Sequence, residues 1–316
     1  MGKFLLILLI FFIIIFSGQL IFNKFISTNV SFGVTFSQKY ATELNLDWKK
    51  VYLSILDDLK VKNLRIPTYW DVDDLSQVDF MLDEAKKREA KVILTLGIKQ
   101  PRWPECHIPK DIKSLPVGER QRLALEYIEK VILRYRDRSE IAYWQVENEP
   151  TLDFFGHNCD RFDEEFLKKE VELVRDLSDK PIMITDSGEL GAWETPMKLS
   201  DIFGISVYRK VYNPTLGYAS YPLLPYFYNI KSKLAGNKKT FIAELQAEPW
   251  FYNNFAVGTE TAEQVKLFSP EEFRENVNFA KQTGFSEIYL WGVEWWYFMK
   301  EQGQPEYWDF AKTLFN

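Results

Sequence analysis

The sequence predicts an α/β fold, a single-domain (β/α)₈ TIM barrel preceded by an N-terminal hydrophobic anchor helix. From Val30 onward, short β-branched or aromatic runs alternate with amphipathic helical stretches, a pattern typical of parallel strands joined by crossover helices. Eight such units in roughly 290 residues fit a closed barrel better than an open doubly wound sheet. No glycine-rich phosphate loop follows the first strand, which removes the main reason to expect a dinucleotide-binding sheet.

The strand candidates have the nearly continuous hydrophobicity of a sheet buried on both faces, as in the run from Val92 to Leu94. They span residues 31–36, 63–68, 91–97, 142–148, 181–185, 202–207, 239–244 and 287–291. Helices are predicted over residues 48–60, 78–88, 118–136, 164–177, 195–199, 223–234, 270–283 and 307–315. No repeat or flexible linker divides these units, so we expect one barrel domain over residues 30–316.

The N-terminus carries an apolar run over residues 4–16, which residues 20–22 extend. Nineteen helical residues would span roughly 28 Å, close to the hydrocarbon thickness of a bilayer. A cleaved signal peptide is the alternative, although bulky Ile15 and Phe16 stand where its cleavage site should have small residues. We therefore predict a membrane anchor or signal segment over residues 1–24. The protein would be extracytoplasmic and membrane-anchored, or secreted if the segment is cleaved.

Composition narrows the chemistry and the partners. The net charge of -6 gives no electrostatic reason to expect a nucleic-acid partner, and 2 histidines leave little for metal binding. We expect no cofactor, no metal and a monomer. Aromatic residues make up 16% of the chain, and flat aromatic faces suit stacking on sugar rings, although most of them will pack in the core. Such faces would suit a carbohydrate partner.

Polar side chains stand at the carboxyl ends of the predicted strands, where barrel enzymes hold their active sites. They are Arg65 after strand two, Asn148 and Glu149 after strand four, Tyr208 after strand six, Glu244 ending strand seven and Trp291 ending strand eight. Two carboxylates on separate strands suit glycosidic cleavage, because one can protonate the leaving oxygen while the other attacks or stabilises the developing cation.

Four segments in chain order resemble motifs of the clan A glycoside hydrolases, retaining barrel glycosidases similar to the family 5 cellulases or to family 39. They are WQVENEP at 144–150, with the Asn-Glu-Pro of strand four; FIAEL at 241–245, the nucleophile segment of strand seven; LRIP at 64–67; and YLWG at 289–292. Asn-Glu-Pro alone would be a weak signal. Four motifs at successive barrel positions are specific.

The resemblance implies a retaining β-glycosidase that hydrolyses O-glycosidic bonds of a polysaccharide or oligosaccharide. Glu149 would be the general acid/base and Glu244 the nucleophile, while Asn148 would contact the sugar 2-hydroxyl. Arg65 and Tyr208 would orient Glu244. For Glu149 to act first as an acid, its pKa must be raised. Trp291 would be a platform for the sugar ring.

Some residues depart from the family pattern or allow a structural explanation. Glu147 occupies a position that is commonly apolar or aromatic, and histidines often found after strand three or near strand six are absent. Glu248, Glu294 and Trp295 lie just beyond strand ends, and we predict Glu294 and Trp295 as substrate contacts, although salt bridges or packing would explain all three equally well. The alternative function is a non-catalytic carbohydrate-binding barrel at the cell surface.

The two cysteines lie in loops that a barrel would bring together. Cys106 follows strand three and Cys159 follows strand four. In an exported protein we expect a disulfide between them. The alternative is a structural Cys₂His₂ zinc site that would include His107 and His157, although the spacing is not that of a known finger or ribbon.

Overall fold

Eight parallel strands close into a barrel in the computed structural model, which describes residues 29–72, 74–252 and 255–315. The strands of this part of the chain are β1 (Ser31–Thr35), β2 (Asn63–Pro67), β3 (Lys91–Leu96), β4 (Ile141–Val146), β5 (Ile182–Ser187), β6 (Ile202–Val207), β7 (Lys210–Asn213), β8 (Gly217–Ser220), β9 (Thr240–Gln246) and β10 (Glu287–Trp291). The barrel order is β1 to β6, then β9 and β10, and β10 pairs in parallel with β1 to close it. The predicted (β/α)₈ barrel is thus confirmed.

Each of the eight predicted helices is present around the barrel, with bounds within about three residues of those predicted. The helices in the described residues are α1 (Gln38–Glu43), α2 (Trp48–Asp57), α3 (Ser76–Lys87), α4 (Val117–Tyr135), α5 (Glu164–Leu177), α6 (Glu194–Leu199), α7 (Pro225–Ala235), α8 (Thr261–Leu267), α9 (Pro270–Lys281), α10 (Val293–Glu301) and α11 (Glu306–Lys312). Helix α9 begins at a capping box, because Ser269 Oγ accepts from the Glu272 backbone while the Glu272 carboxylate accepts from the Ser269 backbone.

The predicted anchor or signal segment, residues 1–24, lies outside the described residues. Among the helices of the described ranges, none has both the length and the apolar character needed to cross a bilayer.

The amino-terminal half of the barrel interior is filled by apolar side chains. Its buried members are Ile93, Met183, Ile202, Phe241, Ala243 and Tyr289. Gly33 allows the Tyr289 ring to approach, since a Cβ at residue 33 would lie 2.7 Å from that ring. A second, larger core packs between the strands and the helices. Because apolar side chains fill the amino-terminal half of the barrel, a polar site inside the barrel has room only towards the carboxyl ends of the strands.

Candidate active site

A cleft of about 520 Å³ opens at the carboxyl ends of the strands. Of the residues predicted from strand ends, Glu149, Tyr208, Glu244 and Trp291 line it directly. The floor beneath them is formed by residues that are almost completely buried, including Arg65 and Asn148, and the structure therefore brings the four strand-end motifs together at one place.

Arg65 connects the polar groups of the floor. Its guanidinium donates 2.6 Å hydrogen bonds to Glu244 Oε1, to Asn148 Oδ1 and to Gln145 Oε1. The side chain is completely buried, so it compensates the Glu244 charge from below and fixes two neighbouring side chains. Arg65 is thus positioned to hold the Glu244 carboxylate, and it does not itself line the cleft.

An irregularity in β9 aims Glu244 into the barrel. Phe241 and Ala243 face the interior, and strict alternation would place Leu245 there next. The β6 pairing instead shifts register between Ile205 and Ser206, so that Ser206 pairs with Glu244. Leu245 consequently packs in the outer core, and Glu244 faces inward. Bulges commonly re-aim a side chain next to an active site in this way.

Tyr208 is the second partner of Glu244. Its hydroxyl donates to Glu244 Oε2 at 3.2 Å. Burial, together with the charges of Glu244 and Glu248, raises the pKa of Tyr208 well above its usual range, so the phenol stays protonated and remains a donor. Glu244 therefore accepts one hydrogen bond on each carboxylate oxygen, from Arg65 below and from Tyr208 at the wall.

Glu149 leaves β4 in a left-handed backbone conformation, with φ of +47°, and Glu147 has φ of +56°. Such angles are uncommon for residues with a side chain and tend to occur at functional sites. The Glu149 backbone N–H donates to Thr185 Oγ1 at 3.1 Å, and Ser206 Oγ donates to the Glu149 carboxyl. Burial, reinforced by the nearby Glu244 charge, raises the pKa of Glu149 to about 8. The Glu149 carboxyl therefore remains largely protonated at neutral pH.

Asn148 is fixed on both sides of its amide. Its Oδ1 accepts from Arg65 and, at 3.0 Å, from the Thr185 hydroxyl, while its Nδ2 donates to Glu105 Oε2 at 3.2 Å. The orientation of the amide is therefore set before any ligand arrives.

An arginine that the sequence pattern does not reveal closes one side of the cleft. The Arg102 guanidinium lies between two aromatic rings, 3.9 Å from the Tyr40 centroid and 4.1 Å from the Trp291 centroid. It also forms ion pairs with Glu248 and Glu294. Despite Arg102, burial raises the pKa of Glu248 to about 7. Arg102 lies within the long loop between β3 and α4 and not at the end of a strand, and no signal in the sequence marked it.

The structure corrects the predicted substrate contacts of Glu294 and Trp295. Gly292, with φ of +127°, turns the chain out of β10, so both residues fall on the first turn of α10. Glu294 is completely buried beneath Arg102 and accepts from the Ser37 backbone. The Trp295 indole is equally buried and donates to Gln264 Oε1 at 2.7 Å. Neither side chain lines the cleft.

Glu147, the residue that departs from the family pattern, holds a loop. Its two carboxylate oxygens accept from the backbone of Ile98 at 2.6 Å and of Lys99 at 2.7 Å. Gly97 makes room for this carboxylate, because a Cβ there would collide with it. Glu170 of α5 is buried beside Glu147, and burial together with the Glu147 charge raises the pKa of Glu170 well above its usual range. The acid at position 147 thus has a structural function.

The predicted disulfide between Cys106 and Cys159 is confirmed, with a Cα–Cα distance of 5.3 Å. It joins the β3–α4 loop, residues 97–116, to the β4–α5 loop, residues 147–163. The zinc alternative is wrong, because both sulfurs are bonded to each other and His107 contacts Lys39 and the Arg102 carbonyl. In the described ranges, no group of His, Cys, Asp or Glu side chains could hold a metal ion.

Comparisons with known proteins give short sequence matches. No family model matches the chain. An 88-residue segment is 30% identical to the β-galactosidases LacZ and LacA of Lactobacillus acidophilus. The match covers 27% of this chain and 13% of each relative, so the chain spans a small part of their length.

Solved structures share the barrel over most of the chain. A β-1,4-mannanase of glycoside hydrolase family 113 superposes with a TM-score of 0.54 at 12% identity, covering 92% of this chain and 98% of the mannanase. A β-galactosidase of Marinomonas ef1 gives 0.53 at 13% identity, covering 83% and 54%. A family 5 hydrolase of Streptomyces cattleya, in complex with GlcNAc, gives 0.52 at 14% identity, covering 83% and 70%. The resemblance to clan A barrel glycosidases predicted from the motifs is confirmed at the level of the fold.

Proposed function

We propose that the protein is a retaining β-glycosidase that hydrolyses a polysaccharide or oligosaccharide with Glu149 as general acid/base and Glu244 as nucleophile. The observation that carries this proposal is the contrast between two carboxyls in one cleft. Glu244 is paired with the Arg65 guanidinium, whereas burial and the Glu244 charge keep Glu149 protonated at neutral pH. Double displacement requires one carboxyl that can donate a proton and a second carboxylate that is held in place to attack.

In the first step, an electron pair of the Glu244 carboxylate forms a bond to the anomeric carbon. The bond from that carbon to the leaving oxygen breaks, and the Glu149 proton passes to the oxygen, so that the leaving group departs as a neutral alcohol. Arg65 and Tyr208 hold the Glu244 oxygens in place before the attack. Glu149 is left as a carboxylate.

In the second step, Glu149 accepts a proton from water while the water oxygen attacks the anomeric carbon of the glycosyl-enzyme. The bond to Glu244 breaks, its carboxylate is regenerated beside Arg65, and Glu149 regains its proton. Because each step inverts the anomeric centre, the product keeps the β configuration.

The cleft walls suit a carbohydrate. Trp103, Phe155, Tyr212, Trp250 and Trp291 all line it, and Trp103 is 41% exposed. Aromatic faces of this kind can stack on sugar rings. The structures that share the fold include a β-1,4-mannanase and a β-galactosidase, which supports a β-linked substrate. Nothing in the cleft favours the non-catalytic alternative, since both expected glutamates line it.

We further propose that the barrel acts outside the cytoplasm, tethered by residues 1–24, as a monomer. The disulfide supports an oxidising compartment. The test is expression of the full chain in a bacterial host, followed by alkaline extraction of the membranes. Retention in the membrane pellet is expected, and release into the soluble fraction would mean that residues 1–24 do not anchor the chain.

The stereochemical course tests the catalytic proposal. A panel of activated aryl β-glycosides identifies the sugar that is cleaved, and proton NMR then follows the first anomer released. The β-anomer is expected first, and the α-anomer would overturn the retaining mechanism. Glu244→Gln should abolish turnover with the fold intact. Glu43→Gln is the matched control, because Glu43 also lines the cleft but is exposed and contacts neither catalytic glutamate in the described structure.

A further inference from the structure

A third carboxyl in the cleft has no task in the mechanism above. Glu105 lies in the β3–α4 loop next to Cys106, lines the cleft and is 4% exposed. Its Oε2 accepts the 3.2 Å hydrogen bond from Asn148 Nδ2. In the part of the chain that the structure describes, no lysine or arginine forms an ion pair with it. A buried carboxylate without a counter-ion is unfavourable unless something in the cleft compensates it.

Lys99 is a cation near Glu105, but its ammonium is hydrogen-bonded to other groups. Lys99 is close enough to lower the pKa of Glu105, but its ammonium donates to the backbone carbonyls of Glu149 and Leu152, at 2.9 and 3.0 Å. Burial is the largest influence and outweighs the opposing charge of Lys99, so that, with a further contribution from the Glu244 charge, the pKa of Glu105 is raised to about 7. A cationic group of a ligand beside Glu105 would therefore stabilise the ionised form of this carboxyl.

The described lining of the whole cleft contains more acidic than cationic side chains. Among the described residues, its lining includes six carboxyl side chains and one cationic side chain; the acids are Glu43, Glu105, Glu149, Glu189, Glu244 and Glu248, and the cation is Arg102. Arg102 is already paired with Glu248 in the cleft and with Glu294 beneath it. Among the lining residues that the structure describes, no cation is therefore left to pair with a carboxylate or sulfate group of a sugar, which disfavours anionic substrates.

The position of Glu105 points to one substituent of the sugar. Asn148 is hydrogen-bonded to Arg65, the ion-pair partner of Glu244, and immediately precedes Glu149 in the chain. A sugar whose anomeric carbon lies between the two catalytic glutamates would present its 2-substituent to this amide, the usual site of a contact that strengthens in the transition state. Glu105 accepts the hydrogen bond from the Nδ2 end of this amide and also lines the cleft, so it would face the same substituent.

Resting on the proposed glycosidase function, we infer that the substrate is a β-linked amino sugar with a free, protonated 2-amino group, which Glu105 binds. The ammonium would donate to the Glu105 carboxylate and supply the counter-charge that the chain does not. A neutral 2-hydroxyl or a 2-acetamido group offers no such charge.

The hydrolysis experiment uses the full chain and aryl β-glycosides of the gluco and galacto series, in pairs that differ only in a 2-amino or a 2-hydroxyl group. The wild type should cleave one amino member with kcat/KM about 10-fold or more above its hydroxyl partner, the range for a hydrogen bond to a charged group. Glu105→Gln should reduce that ratio by about the same factor. Glu43→Gln, which removes a cleft charge away from Asn148, should leave the ratio nearly unchanged.

The binding experiment separates this inference from the proposed function. Calorimetry on the Glu244→Gln variant compares tetraglucosamine with its tetra-N-acetyl form and with cellotetraose, at a pH where the amines are protonated. We expect the Glu244→Gln variant to bind tetraglucosamine more tightly than the two neutral oligosaccharides. The double variant with Glu105→Gln and Glu244→Gln should lose this preference. Tighter binding of neutral sugars, or a ratio of amino to hydroxyl kcat/KM that Glu105→Gln does not change, would overturn the inference. Turnover of neutral glycosides would in that case still support the glycosidase proposal. Binding of tetraglucosamine without any turnover would instead retain the inference and reject the catalytic proposal.

Discussion

Replacing Glu149 with glutamine tests whether its proton drives the reaction. The pKa of this carboxyl is raised from 4.5 to about 8, first by burial and then by the Glu244 charge. The acid form is thus present below about pH 8, and kcat/KM of the wild type should fall about tenfold for each pH unit above that value. Glu149→Gln should lower kcat/KM for poor leaving groups by about 10²–10⁴-fold and remove this alkaline limb.

The assay compares alkyl and dinitrophenyl β-glycosides of the same sugar. A dinitrophenolate leaves without protonation, so the variant should still form the glycosyl-enzyme and then stall, because no base activates water. Azide needs no general base and should restore turnover, giving a β-glycosyl azide. An alkaline limb that persists in Glu149→Gln, or turnover that azide does not accelerate, would refute the assignment of Glu149.

The raised pKa of Glu149 also makes the folding stability depend on pH. Below about pH 4.5 Glu149 is protonated in both the folded and the unfolded chain and costs nothing. As the pH rises, the unfolded chain loses the proton first, so folding becomes progressively less favourable until about pH 8. Glu149→Gln should therefore gain stability relative to the wild type as the pH rises, by on the order of a few kcal/mol, in denaturant unfolding. An equal difference at acidic and alkaline pH would contradict the raised pKa.

Three further outcomes are expected. Arg65→Met leaves the Glu244 charge buried without its partner and should cost about 3–5 kcal/mol in urea unfolding; a loss below about 1 kcal/mol would argue against the ion pair. Cys106→Ser with Cys159→Ser opens a link across a sequence separation of 53 residues and should cost about 4 kcal/mol, a difference that disappears when the wild type is reduced. Glu170→Gln replaces a carboxyl whose pKa burial and Glu147 raise, so the variant should lose less stability than the wild type as the pH rises; parallel pH curves would contradict this.

Strand ends were the predictable part of the site. Arg65, Glu149 and Glu244 could be found because a barrel brings the ends of its strands together, whatever the loops do. The cysteines could be paired by the same reasoning, since consecutive strands are neighbours and so are the loops that follow them. The alternation of strands and helices therefore predicts the fold, and the resemblance of four strand-end segments to the clan A motifs predicts the site residues.

The loops and α10 could not be predicted, for physical reasons that particular residues illustrate. Arg102 and Glu105 reach the cleft through tertiary contacts that no local pattern encodes. Helix α10 buries side chains on several faces, so it lacks the amphipathic period that would reveal a helix. Without that signal, the sequence predicts Glu294 and Trp295 as loop residues just beyond a strand end. The β9 irregularity that turns Glu244 inward is likewise a property of the pairing with β6 and β10.

Covalent trapping tests the central claim most directly. The enzyme is incubated with the dinitrophenyl 2-deoxy-2-fluoro-β-glycoside of the sugar that the aryl panel identifies, and the intact protein and its peptides are weighed by mass spectrometry. We predict one fluoroglycosyl group per chain, attached to Glu244 and absent in Glu244→Gln. An adduct on another residue, or inactivation without any adduct on a chain that turns over the parent glycoside, would contradict the double-displacement account.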